Sequence, residues 1–291
     1  MEGINVSQRI KVNDYVKRKS YGGDIKFKVI YLSMEEGKTI CSLKGMNVRL
    51  LADSKIEDLE LLKPEEILEE RHQNIVLNRQ VLKKIDQDRS KRANFVRNNG
   101  VMQYYYEIPG KVLHLDGDED YLQKCINAYN MLEVPVVGMH VPEKDLPKKS
   151  IDLIKTYSPD IVVLTGHDAL RKNIKDYDEV TNYKTSKYFV EAVRKIRSIE
   201  PSRDALVIIA GACQSFYEAI VEAGANFATS PKRILVHAFD PVYIAEKIAY
   251  TSIYQKVDIE EAVDNTITGK DGIGGVDTWG HYRVGFPKSN Y

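Results

Sequence analysis

Between residues 10 and 62 short apolar, β-branched runs alternate with turn formers: DYVKRKSY, Gly22-Gly23, IKFKVIYL, EEGKT, ICSLKG and VRLLAD. In the third of these Ile25, Phe27 and Val29 alternate with Lys26 and Lys28, which gives a strand one buried and one wet face. Closely spaced strands of this kind predict a small all-β module over residues 1–62, an SH3-like barrel of about 50 residues. Its nearly even charge balance favours a structural or protein-docking module over a nucleic-acid binder.

The pattern changes at Pro64. Residues 63–100 are charged and hold a single glycine, and Pro64 is followed by Glu65 and Glu66, which suits the first turn of a helix. The segment reads as a long, exposed helical linker. Leu61, Leu68, Ile75 and Leu82 recur every seven residues, but the seam positions between them hold Arg71, His72, Asn78 and Arg79. Such a seam does not build a stable coiled coil, so a solvated linker is favoured over a dimerisation element. The tail DQDRSKRANFVRNNG is polar and Arg-rich, and is the expected protease-sensitive joint.

Over residues 101–291 the period switches again. The apolar runs KVLHLD (111–116), PVVGMHV (135–141), DIVVLTGH (160–167), ALVIIAGAC (205–213) and RILVHAF (233–239) alternate with amphipathic stretches at 119–132, 143–157, 185–200, 214–223, 240–253 and 259–267. Near-continuous Val/Ile/Leu runs separated by helices predict an α/β domain, a parallel sheet covered on both faces with right-handed crossovers. The C-terminal GIGGVDTWGHYRVGFP is too rich in glycine for a helix and reads as a hairpin or substrate-covering flap. Its GIGG is no dinucleotide fingerprint, because no strand precedes it and no helix follows.

Composition narrows the function classes. Hydrophobic residues make up 43% and charged residues 29%, an ordinary globular balance. Lys+Arg and Asp+Glu are both 42, so no global surplus draws the chain to nucleic acid or anionic lipid. Cys41, Cys125 and Cys213 are far apart and form no C-x-x-C pair, which argues against a zinc site or a disulfide framework. Neither a signal-type apolar segment nor a run of about 18 apolar residues is present. A soluble intracellular protein with no metal and no cofactor is therefore expected.

In open α/β sheets the chemistry gathers beyond the carboxyl ends of the strands. The third run ends in Gly166-His167-Asp168 and the fourth in Gly211-Ala212-Cys213-Gln214, which puts an imidazole and a thiol on one sheet edge. Adjacent strands lie about 4.8 Å apart, so the two groups can share a substrate. Cys213 precedes QSFYEAIVEAG, read as a helix stopped by Gly224, and the helix N-terminus would favour thiolate. A buried strand-end Cys or His is often only structural, but the pair, flanked by the small residues Gly166, Gly211 and Ala212, favours catalysis. In that reading Cys213 is the nucleophile and His167 the acid and base. Asp168 orients His167 or has a local structural role, the second being favoured because adjacent strand residues diverge.

The order hydrophobic strand, His, hydrophobic strand, Ala-Cys-Gln resembles the caspase, gingipain, clostripain and legumain superfamily of cysteine peptidases, with His167 lying 213 − 167 = 46 residues before Cys213. Asp168 stands where those enzymes usually carry Gly, and Ser215 where caspases do. Along nearly the whole chain, DYVKRKSYGGDIKFKV, VRLLADS, PGKVLHLDGDEDYL, TGHDA, AGACQS, AGANFATSP and HAFDPVYI resemble the YabG family of sporulation-specific proteases of endospore-forming bacteria. That resemblance implies a caspase-like α/β/α peptidase domain and a cysteine endopeptidase of the mother-cell cytoplasm. Such an enzyme associates with the forming spore coat, trims coat and cortex-associated proteins, and prefers to cut beside Arg. It implies oxyanion donors in the backbone N–H groups of Cys213 and Asp168.

An arginine pocket needs a carboxylate. The loop after the first strand of the α/β domain offers Asp116 or Asp118, although Asp118 is equally a helix cap. His237 and Asp240 end the fifth run and support the cleft, with Asp240 before Pro241 also a good N-cap. Thr229, Ser230 and Pro231 read as a connecting turn. Two rival readings stay open: an amidotransferase- or amidase-like enzyme using His237 as base, and a non-catalytic spore-coat scaffold. If Arg is preferred, Arg89, Arg92 and Arg97 become self-cleavage sites.

Overall fold

The computed structural model describes residues 10–97, 105–171 and 176–288, which form two compact units, Met1–Asn78 and Arg79–Tyr291. In the first, β1 (Tyr15–Arg18), β2 (Lys26–Glu35), β3 (Lys38–Gly45), β4 (Leu51–Lys55) and β5 (Leu59–Leu61) form one antiparallel sheet in the order β4-β3-β2-β1-β5. Phe27 and Val29 are fully buried while Lys26 and Lys28 are not, as the alternation requires. The β2–β3 turn has positive φ at both Glu36 and Gly37, the geometry whose twist matches a two-residue hairpin.

Helix α1 (Pro64–Arg97) starts with Glu65 and Glu66 in its first turn. The heptad positions Leu68 and Ile75 are exposed, whereas Val81 and Ile85, four apart, are buried in the core of the second unit. The expectation of a solvated linker is corrected for this half of the helix, which contributes an i, i+4 stripe to packing. Arg89 donates to Glu246 and to the Leu132 carbonyl and lies over the Tyr250 ring. Held in a helix by three partners, it does not offer the extended backbone a peptidase cleaves. The side chains of Arg92 and Arg97 lie outside the described residues.

The second unit contains β6 (Tyr106–Ile108), β7 (Val112–Asp116), α2 (Glu119–Met131), β8 (Val136–His140), α3 (Leu146–Tyr157), β9 (Ile161–Thr165), α4 (Ser186–Ile199), β10 (Val207–Ala210), α5 (Tyr217–Glu222), β11 (Phe227–Thr229), α6 (Asp240–Tyr250), α7 (Ile259–Asp264), β12 (Ile273–Gly275) and β13 (Arg283–Gly285). The main sheet runs β12-β11-β10-β9-β7-β8, parallel except for the edge strand β12. Val112, Ile161, Val163, Val207 and Ile209 face one apolar layer with α2, α6 and α7. Leu113, Leu115, Val162, Leu164 and Ile208 face the other with α3, α4 and α5. Alternate residues of each strand thus enter opposite cores, which is why the strands carry no polar face.

Two expectations are corrected. The run 233–239 is not a strand; the fifth parallel strand is Phe227–Thr229, which covers the end of the strand-like ANFA and the first residue of the expected turn. Val236 and Ala238 are apolar because they are buried, not because they pair in a ladder. The C-terminal glycines form neither hairpin nor flap. Gly274 and Gly275 sit in β12 on the sheet edge, where a Cβ on Gly275 would come within 2.4 Å of the Phe227 ring, and β13 pairs with β6.

Candidate active site

Strands β8 and β7 lie to one side of β9, and β10 and β11 to the other, so the winding direction reverses between β7 and β9. Sheets of this kind bind ligands in the crevice beyond the carboxyl ends of the strands at such a switch point. Register then decides which residues meet there. Asp116 pairs with Thr165, and Leu164 with Ala210. Asp118 and His167 each lie two residues past the first pair; His167 and Cys213 each lie three past the second. Asp118, His167 and Cys213 therefore follow three neighbouring strands, β7, β9 and β10, at matching positions in register.

His167 is held from several sides. Its Nε2 is 2.8 Å from Asp118 Oδ2, its backbone N–H donates to Glu143 Oε1 at 2.6 Å, and its carbonyl accepts from Thr185 Oγ1. The Tyr121 ring meets the imidazole edge-on with centroids 6.0 Å apart. Asp118 caps α2 as a short-side-chain acid does: its other oxygen, Oδ1, accepts from Tyr121 N–H at 3.0 Å. Glu143 is packed so closely that a Cβ on either Gly117 or Gly166 would lie 2.3 Å from its Oε1.

The cysteine turn is built from complementary small residues. Gly211 has φ +115, and a Cβ there would approach Thr229 Oγ1 to 2.5 Å. Thr229 Oγ1 donates to the Ala212 carbonyl, and Gln214 N–H donates to Ser230 Oγ. Thr229 and Ser230, expected as a connection, thus brace the turn. Ala212 N–H donates to Ser215 Oγ, which donates onward to Asp168 Oδ2 at 3.0 Å. Asp168 also accepts from Ser186 Oγ and from the Ala169 and Thr185 N–H groups. Burial pushes the Asp168 carboxyl up, against these hydrogen bonds, which favour its charge. The two departures from the caspase pattern, Asp168 and Ser215, are therefore partners, tying the histidine turn to the cysteine turn. Asp168 does not orient the imidazole.

Cys213 is fully buried. Its Sγ accepts from Val236 N–H at 3.2 Å and lies 3.6 Å from the Val236 carbonyl. The expected helix N-terminus beside it is corrected: α5 begins only at Tyr217, after a turn in which Phe216 N–H donates to Ser186 Oγ and Tyr217 N–H to the Ser215 carbonyl. The Val236 amide that donates to the sulfur comes from another segment.

Asp116, expected as one of two arginine-pocket acids, is fully buried, with Oδ1 accepting from Asp118 N–H at 2.9 Å and Oδ2 3.5 Å from His114 Nε2. His114 also meets Thr165 Oγ1 at 2.7 Å. A guanidinium does not reach Asp116 without displacing this internal network. Of the two acids only Asp118, with its side chain 10% exposed, borders the crevice. His114, Asp116 and Cys125 bring ligand-type atoms within 4.8 Å of one another, but His114 and Asp116 are engaged as just described and Cys125 Sγ donates to the Ala238 carbonyl, as in a satisfied polar core.

His237 is nearly buried; its N–H donates to Thr268 Oγ1, and its Nδ1 accepts from Phe239 N–H. Asp240 is not an N-cap: Phe239 holds that position, and the Asp240 carboxylate accepts from Ile267 and Thr268 N–H. Complete burial pushes its carboxyl up to about 6, against about 3.9 in an unfolded chain. Between those values the folded protein holds a proton that the unfolded chain has released, so this group's contribution falls as pH rises from 4 to 6, by about 3 kcal/mol. Asp240→Asn removes that slope. The gap in urea-unfolding free energy between wild type and variant is expected to move by about that amount between pH 4 and 7, and parallel pH profiles would refute the assignment.

Sequence alone pointed to His167, Cys213 and Asp118, but not to Glu143, Thr185 or Ser186. The signal for the last two was present but ambiguous. Hydroxyl residues at a helix start suggest capping, yet Thr185 makes no side-chain cap here, its hydroxyl and that of Ser186 going to the histidine turn instead.

Among the described residues no helix is long and apolar enough to cross a membrane. The model of the family described as YabG peptidase U57 matches residues 11–287. The chain is 42% identical over 289 residues to the sporulation-specific protease YabG of Bacillus subtilis (strain 168), an alignment covering 97% of this chain and 100% of that protein.

Proposed function

The chain belongs to the YabG peptidase U57 family, and from that premise we propose that it is a cysteine endopeptidase of sporulation working through Cys213 and His167. The observation that carries the reading is the common level at which these residues leave the adjacent strands β9 and β10. In the reaction Cys213 Sγ attacks the scissile carbonyl and forms an S–C bond. His167 gives its proton to the departing amine as the C–N bond breaks, then takes a proton from the water that releases the acid and regenerates the thiol. Backbone N–H groups of Cys213 and Asp168 hold the oxyanion, each such donor being worth about 10²–10³ in rate. The six-stranded sheet order supports a caspase-like peptidase domain, and the antiparallel five-stranded sheet supports an SH3-like docking module.

Substrates in this reading are spore coat and cortex-associated proteins met in the mother cell, cut beside Arg. Asp118 and Glu143 flank His167 and give the crevice a negative edge, which suits a cationic residue. For a substrate to reach the sulfur, its contacts with the Val236 backbone must be exchanged for the scissile carbonyl. Segment 230–236 is the element that yields: it lies outside the sheet and has positive φ at Ser230 and Arg233.

Because the thiol is covered, a small generic alkylator reports access rather than catalysis. The test is a peptidyl-arginyl acyloxymethyl ketone, whose carboxylate leaves as the thiolate carbon–sulfur bond forms. One adduct is expected, at Cys213, under reducing conditions. An unmodified Cys213 after complete incubation favours the scaffold reading.

A further inference from the structure

Resting on that reading, we propose that Asp118 is a positioning residue for His167, fixing which ring nitrogen faces the thiol. Its Oδ2 accepts from Nε2 at 2.8 Å. This contact holds the proton of the neutral imidazole on Nε2 and leaves Nδ1 to exchange a proton with sulfur and with the leaving amine. When Nδ1 is protonated the ring is a cation, and the carboxylate beside Nε2 stabilises it without taking the proton.

The carboxylate is well anchored for this task. Oδ1 caps α2 through Tyr121 N–H, and the Asp118 N–H donates to Asp116, itself fully buried. The ring is only 13% exposed and the carboxylate 10%, so water screens the contact weakly. Strand β9, which carries His167, lies between β7, which precedes Asp118, and β10, which precedes Cys213. Glu143 meets the His167 backbone N–H, and Asp168 is bound to Ser186, Ser215 and backbone amides, so Asp118 is the carboxylate on the ring.

Asp118→Asn separates this role from capping. Asparagine caps a helix as well as aspartate does. With its one carbonyl oxygen kept on Tyr121 N–H, its NH2 faces Nε2 and selects the other tautomer. The experiment measures kcat and KM on an arginyl peptide, with the His167 tautomer read from its ring 15N shifts by NMR. Expected are a kcat lowered about 10²–10³-fold, KM within about threefold, and the ring proton moved from Nε2 to Nδ1. Asp118→Ser, also a good cap, repeats the measurement if the first variant folds poorly. An unchanged kcat with an unchanged tautomer overturns the proposal. A KM rise confined to arginyl substrates would do so too, and would assign Asp118 to the arginine pocket. Cys213→Ala in the same assay keeps the two questions apart: if that variant is active, the cysteine-peptidase reading fails whatever Asp118 does.

Discussion

Cys213→Ala is expected to lower peptide hydrolysis by about five orders of magnitude, the scale on which removal of a covalent nucleophile acts. The fold should survive. The sulfur meets the Val236 amide at 3.2 Å and the Val236 carbonyl at 3.6 Å, and losing such weak bonds costs about 1 kcal/mol against a typical total of about 5–15 kcal/mol. The turn itself is held by Thr229, Ser215 and Ser230, none of which needs the thiol. Unchanged circular dichroism with activity lost is therefore the expected pair of results, and Cys41→Ala, in the other compact unit, should keep activity within about twofold. A Cys213→Ala protein retaining a tenth of wild-type kcat/KM would remove covalent catalysis by this residue.

The strands and helices that position the site were legible because their periods are unambiguous. Four of the five apolar runs of the α/β domain are β7, β8, β9 and β10, and none loses more than three residues at either end. The fifth failed because hydrophobicity reports burial, not pairing. Val236 and Ala238 are as buried as strand residues, while the ladder partner, Phe227–Thr229, is only three residues long and disguised by the turn formers around it. The helix beside Cys213 failed at its start, not its existence. Apolar spacing locates a face, but the side chain of Ser186 and the carbonyl of Ser215 take the amides that would have opened the helix three residues earlier.

At the site, residue types were readable and pairings were not. Aspartate at 118 had two sequence readings, cap and pocket acid; the contact with Nε2 follows only from the register that sets it level with His167. Asp168 and Ser215 looked like separate losses of glycine, and their hydrogen bond makes them one device. Glycine in both places would leave the turns free to move apart. The buried acid instead ties the histidine turn to the cysteine turn, at the cost of desolvating a carboxylate.

His167→Ala is expected to lower kcat about 10³-fold, within the usual range for a positioned acid–base group, while His237→Ala changes it less than about threefold. Both residues have a claim on the sulfur. His237 follows Val236, whose backbone touches Sγ, and an amidase-like enzyme would take its base from such a later segment. Its own bonds argue otherwise: Nδ1 accepts from Phe239 N–H two residues on, and the ring packs edge-on against Phe239 at 5.3 Å. That is a side chain folding its own turn. His167 instead has an acid on Nε2 and a fixed backbone, and it follows the strand next to the one that leads to Cys213. A base needs a partner that stabilises its cation, and His167 has the partner. Retained hydrolysis in His167→Ala together with loss in a folded His237→Ala would exchange the two roles and bring the amidase reading forward.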